Sequence, residues 1–275
     1  MQQPNPAPTP RALIVRTAGT NCDTELVRAF ERAGATPDLV HVRALMADPD
    51  QIDRYDLIGF PGGFSYGDDI ASGRILAMQV RNRLYQPLRR AAERGAAMIG
   101  VCNGFQVLVQ VGLLPGPQAG EPWPADAAPE ARVALTDNTP PRFKDGWVRV
   151  AADADSPCVW TRGLLEHGTG DIMMLPIAHG EGRFVARDHQ TLAELESNGQ
   201  VALRYLDNPN GSMGDVAGIC DASGRIFGLM PHPERYLDWT RHPFWTRLDA
   251  TTRSGATPGL AMFAGAVESV RRATV

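Results

Sequence analysis

Cysteine is scarce in this chain. Only Cys22, Cys102, Cys158 and Cys220 occur in 275 residues, and no two form a C-x-x-C pair. That excludes a zinc ribbon or a thioredoxin-type site, and four cysteines are too few for a secreted disulfide scaffold. The expectation is free thiols in a reducing, cytoplasmic compartment. The first ten residues, MQQPNPAPTP, lack the basic start and apolar stretch of a signal peptide and read as a disordered extension over 1–10. No apolar run nears the roughly 18 residues of a membrane span. Basic residues do not dominate either: 27 Lys and Arg face 31 Asp and Glu, a net charge of −4, with a pI near 5.9. A general nucleic-acid binder would carry a basic stripe. No internal repeat is present, and no G-x-x-x-x-G-K-[ST] loop offers to hold phosphate.

What is present is an ordered alternation. ALIV at 12–15, DLVHV at 38–42, YDLIGF at 55–60 and AAMIGV at 96–101 read as buried strands. Between them lie amphipathic stretches. One runs through Leu26, Val27 and Phe30 and stops at Gly34; another places Leu76, Val80, Leu84, Leu88 and Ala92 on one helical face. Pro87 is expected to bend or divide the second. Strand–helix alternation predicts an α/β fold with a largely parallel central sheet and helices on both faces. After the proline- and alanine-rich segment 116–130, read as a surface insertion, the texture becomes strand-rich, with DASG at 221–224 as a hairpin turn. These strands are expected to extend the sheet in antiparallel fashion or to form a small lobe beside it. Leu260, Phe263, Val267 and Val270 mark a terminal helix. No linker divides residues 11–275, which are read as one domain.

The chemistry centres on Cys102. It stands in G-V-C-N-G, directly after a strand and before the helical run FQVLVQV. This is the cysteine form of a nucleophile elbow, in which glycines let strand and helix approach closely. The helix N-terminus favours the thiolate, and the amide of Asn103 can face a developing oxyanion. A bare cysteine between glycines would read as structural; the elbow context favours the nucleophile. A base is needed, and His232 in M-P-H-P-E is the candidate, 130 residues further on. Pro233 disfavours helical torsions at His232, so the segment is expected to be extended, with Glu234 on the same side as the imidazole. A carboxylate there would fix the tautomer and stabilise the imidazolium. On its own this pair reads equally well as a polar turn. P-G-G-F at 61–64 follows another strand, so Gly62 and Gly63 offer backbone amides at the same sheet edge; alone it is a weak signal. Spacing carries the reading as far as acyl transfer at an amide or ester.

The trio of P-G-G, G-x-C-x-G-x-Q and H-P-E resembles the class I, triad-type glutamine amidotransferases. More narrowly, RTAGTNCD at 16–23, PGGFSYGDD at 61–69, GVCNGFQ at 100–106, PIAHGEGRF at 176–184 and GLMPHPER at 228–235 resemble the glutaminase subunits of phosphoribosylformylglycinamidine synthases. The likeness runs from about residue 11 to about 245. It implies that Cys102 attacks the side-chain amide of L-glutamine with His232 and Glu234 assisting, and that Gly63 and Asn103 donate to the oxyanion. It implies substrate contacts at Gly62, Gln106, His179 and Gly180, and no metal or cofactor in this chain. ATP and Mg²⁺ are expected in a large synthetase partner, completed by a small third subunit. Two rivals remain: another cysteine hydrolase on the same fold, and a catalytically idle scaffold subunit. Cys22 reads as structure or pocket wall, Asp68, Asp69 and Arg74 as solvated surface by default or else a loop facing the synthetase, and Asn210-Gly211-Ser212 as a turn. Trp239, Phe244 and Trp245 fit core or interface equally.

Overall fold

The computed structural model describes residues 8–168 and 170–273. Most of the anticipated N-terminal extension, residues 1–7, lies outside them, but Pro10 is already buried and its carbonyl accepts from the Thr36 amide. Strand β1 (Arg11–Arg16) lies between β2 (Thr36–His41) and β3 (Leu57–Phe60), all parallel. β3 pairs in turn with β4 (Ala97–Val101), whose sequence AMIGV has no alternation because helices cover both of its faces.

The faces can be read from β3. A Cβ on Gly59 would press on Leu26 and Phe30 of α1 (Asp23–Arg32), whereas the next residue, Phe60, meets Gly104 of α5 (Asn103–Val111). Helix α1 stops as expected, with Gly34 at φ +86°. The long amphipathic stretch is divided into α3 (Arg74–Arg83) and α4 (Tyr85–Glu93). The break falls at Leu84, which leaves Pro87 in the first turn of α4, where its missing N–H costs no helical bond. A short helix, α2 (Val42–Ala47), follows β2.

The second half extends the sheet. β5 (Val133–Thr136) and β8 (Arg183–Ala186) form a separate two-stranded ribbon. β6 (Lys144–Ala152), β7 (Met174–His179), β9 (Leu203–Tyr205), β10 (Val216–Cys220) and β11 (Ile226–Leu229) join the main sheet, in the order β2-β1-β3-β4-β11-β10-β9-β6-β7. β11 is the fifth parallel strand, and beyond it every pairing is antiparallel. The DASG hairpin is closed by Asp221, whose carboxylate accepts from the Arg225 and Ile226 amides. Helix α6 (His189–Ser197) buries Thr191, Leu192 and Leu195, too short an apolar period to be read from sequence. Helix α7 (Ala250–Ser254) precedes α8 (Pro258–Ala273), which buries Phe263, Val267 and Val270 as anticipated. Segment 116–130 forms no helix or strand; it lies against α4, where Pro124 accepts from the Tyr85 hydroxyl and Ala125 from Gln86. No helix among the described residues is long and apolar enough to cross a membrane.

Candidate active site

β3, β4 and β11 end at one edge of the parallel sheet, and each delivers one of the motifs. Cys102 follows β4 with φ +51° and ψ −106°, a conformation that L-residues rarely adopt. It is held there from both sides: its amide donates to Leu229 of β11 and its carbonyl accepts from Gln106. The flanking glycines are required by distance. A Cβ on Gly104 would lie 1.9 Å from the Phe60 carbonyl oxygen, and one on Gly100 would lie 2.5 Å from that of Gly104. Cys102 is 6% exposed, and its Sγ lies 3.8 Å from the Ala178 carbonyl of β7.

His232 follows β11, and its amide donates to Pro176 of β7. Its Nδ1 meets Glu234 Oε1 at 2.6 Å, with both side chains buried. The extended segment expected from the two prolines is not what forms. Residues Pro233–Arg235 make a 3₁₀ turn, with His232 outside it at φ −109° and ψ +82°. Pro233 restrains the residue before it but starts a turn itself, so Glu234 comes back to the imidazole through the turn. α8 holds this turn in place, since a Cβ on Gly259 would lie 2.3 Å from the Pro233 carbonyl oxygen. Burial alone would lower the His232 pKa, but the Glu234 carboxylate, with Cys102, holds it well above its ordinary value. The other ring nitrogen, Nε2, is buried with no hydrogen-bond partner among the described residues and is the atom free to exchange a proton with Cys102.

The P-G-G-F turn borders the same site. A Cβ on Gly62 would lie 2.7 Å from His232 Cε1, and Gly63, at φ +139°, is bridged to Thr20. Neither the Gly63 nor the Asn103 backbone amide has an intramolecular partner among the described residues, which leaves both available as donors. The Asn103 side chain ties the motifs together: its Oδ1 accepts from the Ser65 amide, and its Nδ2 donates to Gln106 Oε1 and Asp68 Oδ1. Gln106 in turn donates to the Glu181 carbonyl at 2.5 Å, next to Gly180. His179 is buried beside His232, and burial with the charge of His232 lowers its pKa to about 4.

Several residues take parts that sequence reasoning does not give them. Asp68 is half-buried rather than solvated; its carboxylate also accepts from Ser72 Oγ and the Gly73 amide, and burial raises its pKa against those bonds. Asn138 organises the loop after β7 by bonding to His179, Gly180, Gly182 and Arg142. Its only sequence signal is a polar residue in a turn. Asn210 is fully buried in the anticipated turn and donates to the Gly182 carbonyl. Trp239 packs edge-on against Tyr236, while Phe244 and Trp245 remain exposed. All four cysteines are free. Cys22, His232 and Glu234 bring donor atoms within 4.8 Å of one another, but Arg235 Nη2 lies 2.9 Å from Cys22 Sγ and already supplies positive charge there.

Comparison with known proteins gives the same outline. The sequence profile of the CobB/CobQ-like glutamine amidotransferase domain matches residues 9–270. The chain is 39% identical over 268 residues to the phosphoribosylformylglycinamidine synthase subunit PurQ of Dehalococcoides mccartyi, covering 95% of this chain and 98% of that one. It is 42% identical over 229 residues to the PurQ subunit of Rubrobacter xylanophilus, covering 83% and 90%. Among solved structures, a chain in the structure of PurLQS from Thermotoga maritima superimposes with a TM-score of 0.68 at 32% identity, covering 95% of this chain and 99% of that one. With this much identity sustained over nearly the full length of both chains, the protein belongs to the PurQ family of CobB/CobQ-like glutamine amidotransferases.

Proposed function

We propose that this chain is the glutaminase subunit of a phosphoribosylformylglycinamidine synthase. It hydrolyses L-glutamine to glutamate and ammonia and passes the ammonia to a synthetase subunit in purine biosynthesis. The observation that carries this reading is the elbow at Cys102, strained to φ +51°, beside a His232 whose Nδ1 is held by Glu234 and whose Nε2 is free.

The chemistry follows from these positions. His232 already holds the proton on Nε2 as the imidazolium, and Sγ attacks the carboxamide carbon beside it. The tetrahedral oxyanion is stabilised by the Gly63 and Asn103 amides. As the C–N bond breaks, His232 gives that proton to the departing nitrogen, which leaves as ammonia from a γ-glutamyl thioester. Water then hydrolyses the thioester with His232 as base. Gly62, Gln106, His179 and Gly180 form the substrate pocket, and Asn103 holds Gln106 in place. The partners are a PurL-type large subunit, which binds ATP and Mg²⁺, and a PurS-type small subunit; the complex is cytoplasmic. The idle-scaffold alternative leaves the strained cysteine and the buried dyad without a purpose.

The test is reconstitution with the synthetase. Cys102→Ala abolishes glutamine-dependent product formation and leaves ammonia-dependent formation intact. Equal loss of both activities would sink the claim that this chain supplies only ammonia.

A further inference from the structure

We propose that Asp68 is a positioning residue for the oxyanion site. Through the Asn103 side chain, its carboxylate fixes the gap between the loop that carries the Gly63 amide and the helix that starts with the Asn103 amide. This rests on the glutaminase reading above, which needs both amides as donors to one oxygen atom.

The two donors belong to different elements: Gly63 follows β3 and leads into segment 64–73, whereas Asn103 opens α5. They can serve one oxyanion only if their spacing is held, and a misplacement of about 1 Å costs about a hundredfold in rate. The Asn103 side chain spans the gap. Its Oδ1 accepts from the Ser65 amide at 3.3 Å, two residues past Gly63. Its Nδ2 donates to Asp68 Oδ1 at 3.1 Å and to Gln106 Oε1 at 3.1 Å. An ionised carboxylate only accepts, so Asp68 turns the NH₂ end of Asn103 toward itself and leaves the oxygen for Ser65.

Asp68 is fixed in turn from the far end of the loop. Oδ1 also accepts from the Gly73 amide at 3.1 Å, and Oδ2 accepts from Ser72 Oγ at 3.1 Å. Residues 72 and 73 rest on α5: Gln110 donates to the Ser72 carbonyl, and a Cβ on Gly73 would lie 3.4 Å from the Asn103 carbonyl oxygen. Between the two ends, Tyr66, Gly67 and Asp68 are left-handed in succession, at φ +56°, +73° and +51°. A tyrosine disfavours that region, so bonds to the rest of the fold must keep the shape. Tyr66 is tied to Ala18 and Gln79, and Asp68 supplies the tie to α5. The rival role for Asp68 is structural. Ser72 and Gly73 precede α3, so the carboxylate could cap that helix and do nothing more.

The experiment compares two reactions of the same thiolate in the complex assembled with the synthetase and small subunits. Glutamine acylates Cys102 through an oxyanion. Methyl methanethiosulfonate is attacked at sulfur: an S–S bond forms to Cys102, methanesulfinate leaves, and no oxyanion develops on carbon. Asp68→Gly removes the carboxylate and suits a left-handed position. It lowers glutamine turnover about tenfold to a hundredfold, in kcat because the oxyanion exists only at the transition state. Thiolation of Cys102, read on its peptide, keeps the parent rate. Asp68→Asn, which keeps an acceptor oxygen and tolerates the same backbone, recovers most of the loss. Equal loss in both reactions, a loss confined to KM, or none at all overturns the proposal. Combining Asp68→Gly with Asn103→Ala costs no more than Asn103→Ala alone, and additive losses would overturn the route through Asn103. Should Asp68→Gly not fold, Asn103→Ala decides, since it cuts the same link: a selective loss of kcat supports the proposal and parent-like turnover overturns it. Failure of the glutaminase reading looks different, because Cys102→Ala would then still turn glutamine over.

Discussion

Glu234 illustrates how one buried residue sets the behaviour of another. Burial pushes the His232 imidazole toward its neutral form, and the carboxylate at 2.6 Å reverses that. Glu234→Gln keeps the shape and a hydrogen-bond acceptor for Nδ1 but removes the charge. The imidazolium is then lost at lower pH, so the alkaline limb of the kcat/KM profile moves toward lower pH. Because Glu234 orients the base without taking the proton itself, the loss in kcat is smaller than for His232→Ala, about 10⁴-fold against about 10⁶-fold. A pH–rate series on the two variants checks this; an unmoved alkaline limb in Glu234→Gln would show that its charge does not tune the base. The residues themselves show what a sequence can reveal. Cys102, His232 and Glu234 each sit in a short motif whose neighbours explain them. Asn138 does not: its partners His179 and Gly182 lie 41 and 44 residues away, and only the fold brings them together. Asp68 reads as solvated in sequence because its burial depends on Asn103 and Ser72, contacts that no local pattern records.

Among the elements, the β4–α5 elbow has the least tolerance. Gly104 has no positive φ, so its need for glycine is steric: the Phe60 carbonyl oxygen occupies the place of its Cβ. Gly104→Ala must push α5 away from β3, at a cost of about 1–3 kcal/mol for overpacking, and α5 carries Cys102 with it. Denaturant unfolding together with glutaminase assay should show lost stability and a disproportionate loss of activity. Gly255→Ala, which meets nothing within 4 Å, serves as the neutral control. If Gly104→Ala matched that control, the close packing would not be what positions the nucleophile. Elements with unbroken apolar runs, such as β4 and α5, are legible because both faces are buried. The turn after His232 is not, since the rule for residues preceding proline speaks to His232 and is silent on what Pro233 begins. The outer strands can be recognised as strands, but β8 leaving the main sheet to pair with β5 is a tertiary outcome.

At the scale of the whole molecule, the active-site edge is bordered by apolar side chains that the described residues leave exposed. Phe64, directly after Gly63, is 47% exposed; Ile70, on the loop that Asp68 pins, is 71% exposed; Phe143, 3.9 Å from where a Cβ on Gly180 would lie, is 56% exposed. In the PurLQS relative the corresponding chain works within an assembly, and a glutaminase that released ammonia without a synthetase would waste it. An uncovered edge also admits water, which weakens the electrostatic stabilisation on which an oxyanion site depends. The expectation is that the isolated chain hydrolyses glutamine slowly and that adding the synthetase and small subunits raises kcat by about tenfold or more, as partner binding closes and orders the site. Glutamate release measured with and without the partners, at saturating glutamine, decides the matter. Full turnover by the chain alone would mean that the triad and the two amides are already competent, and that the partners govern where the ammonia goes without governing whether it is made.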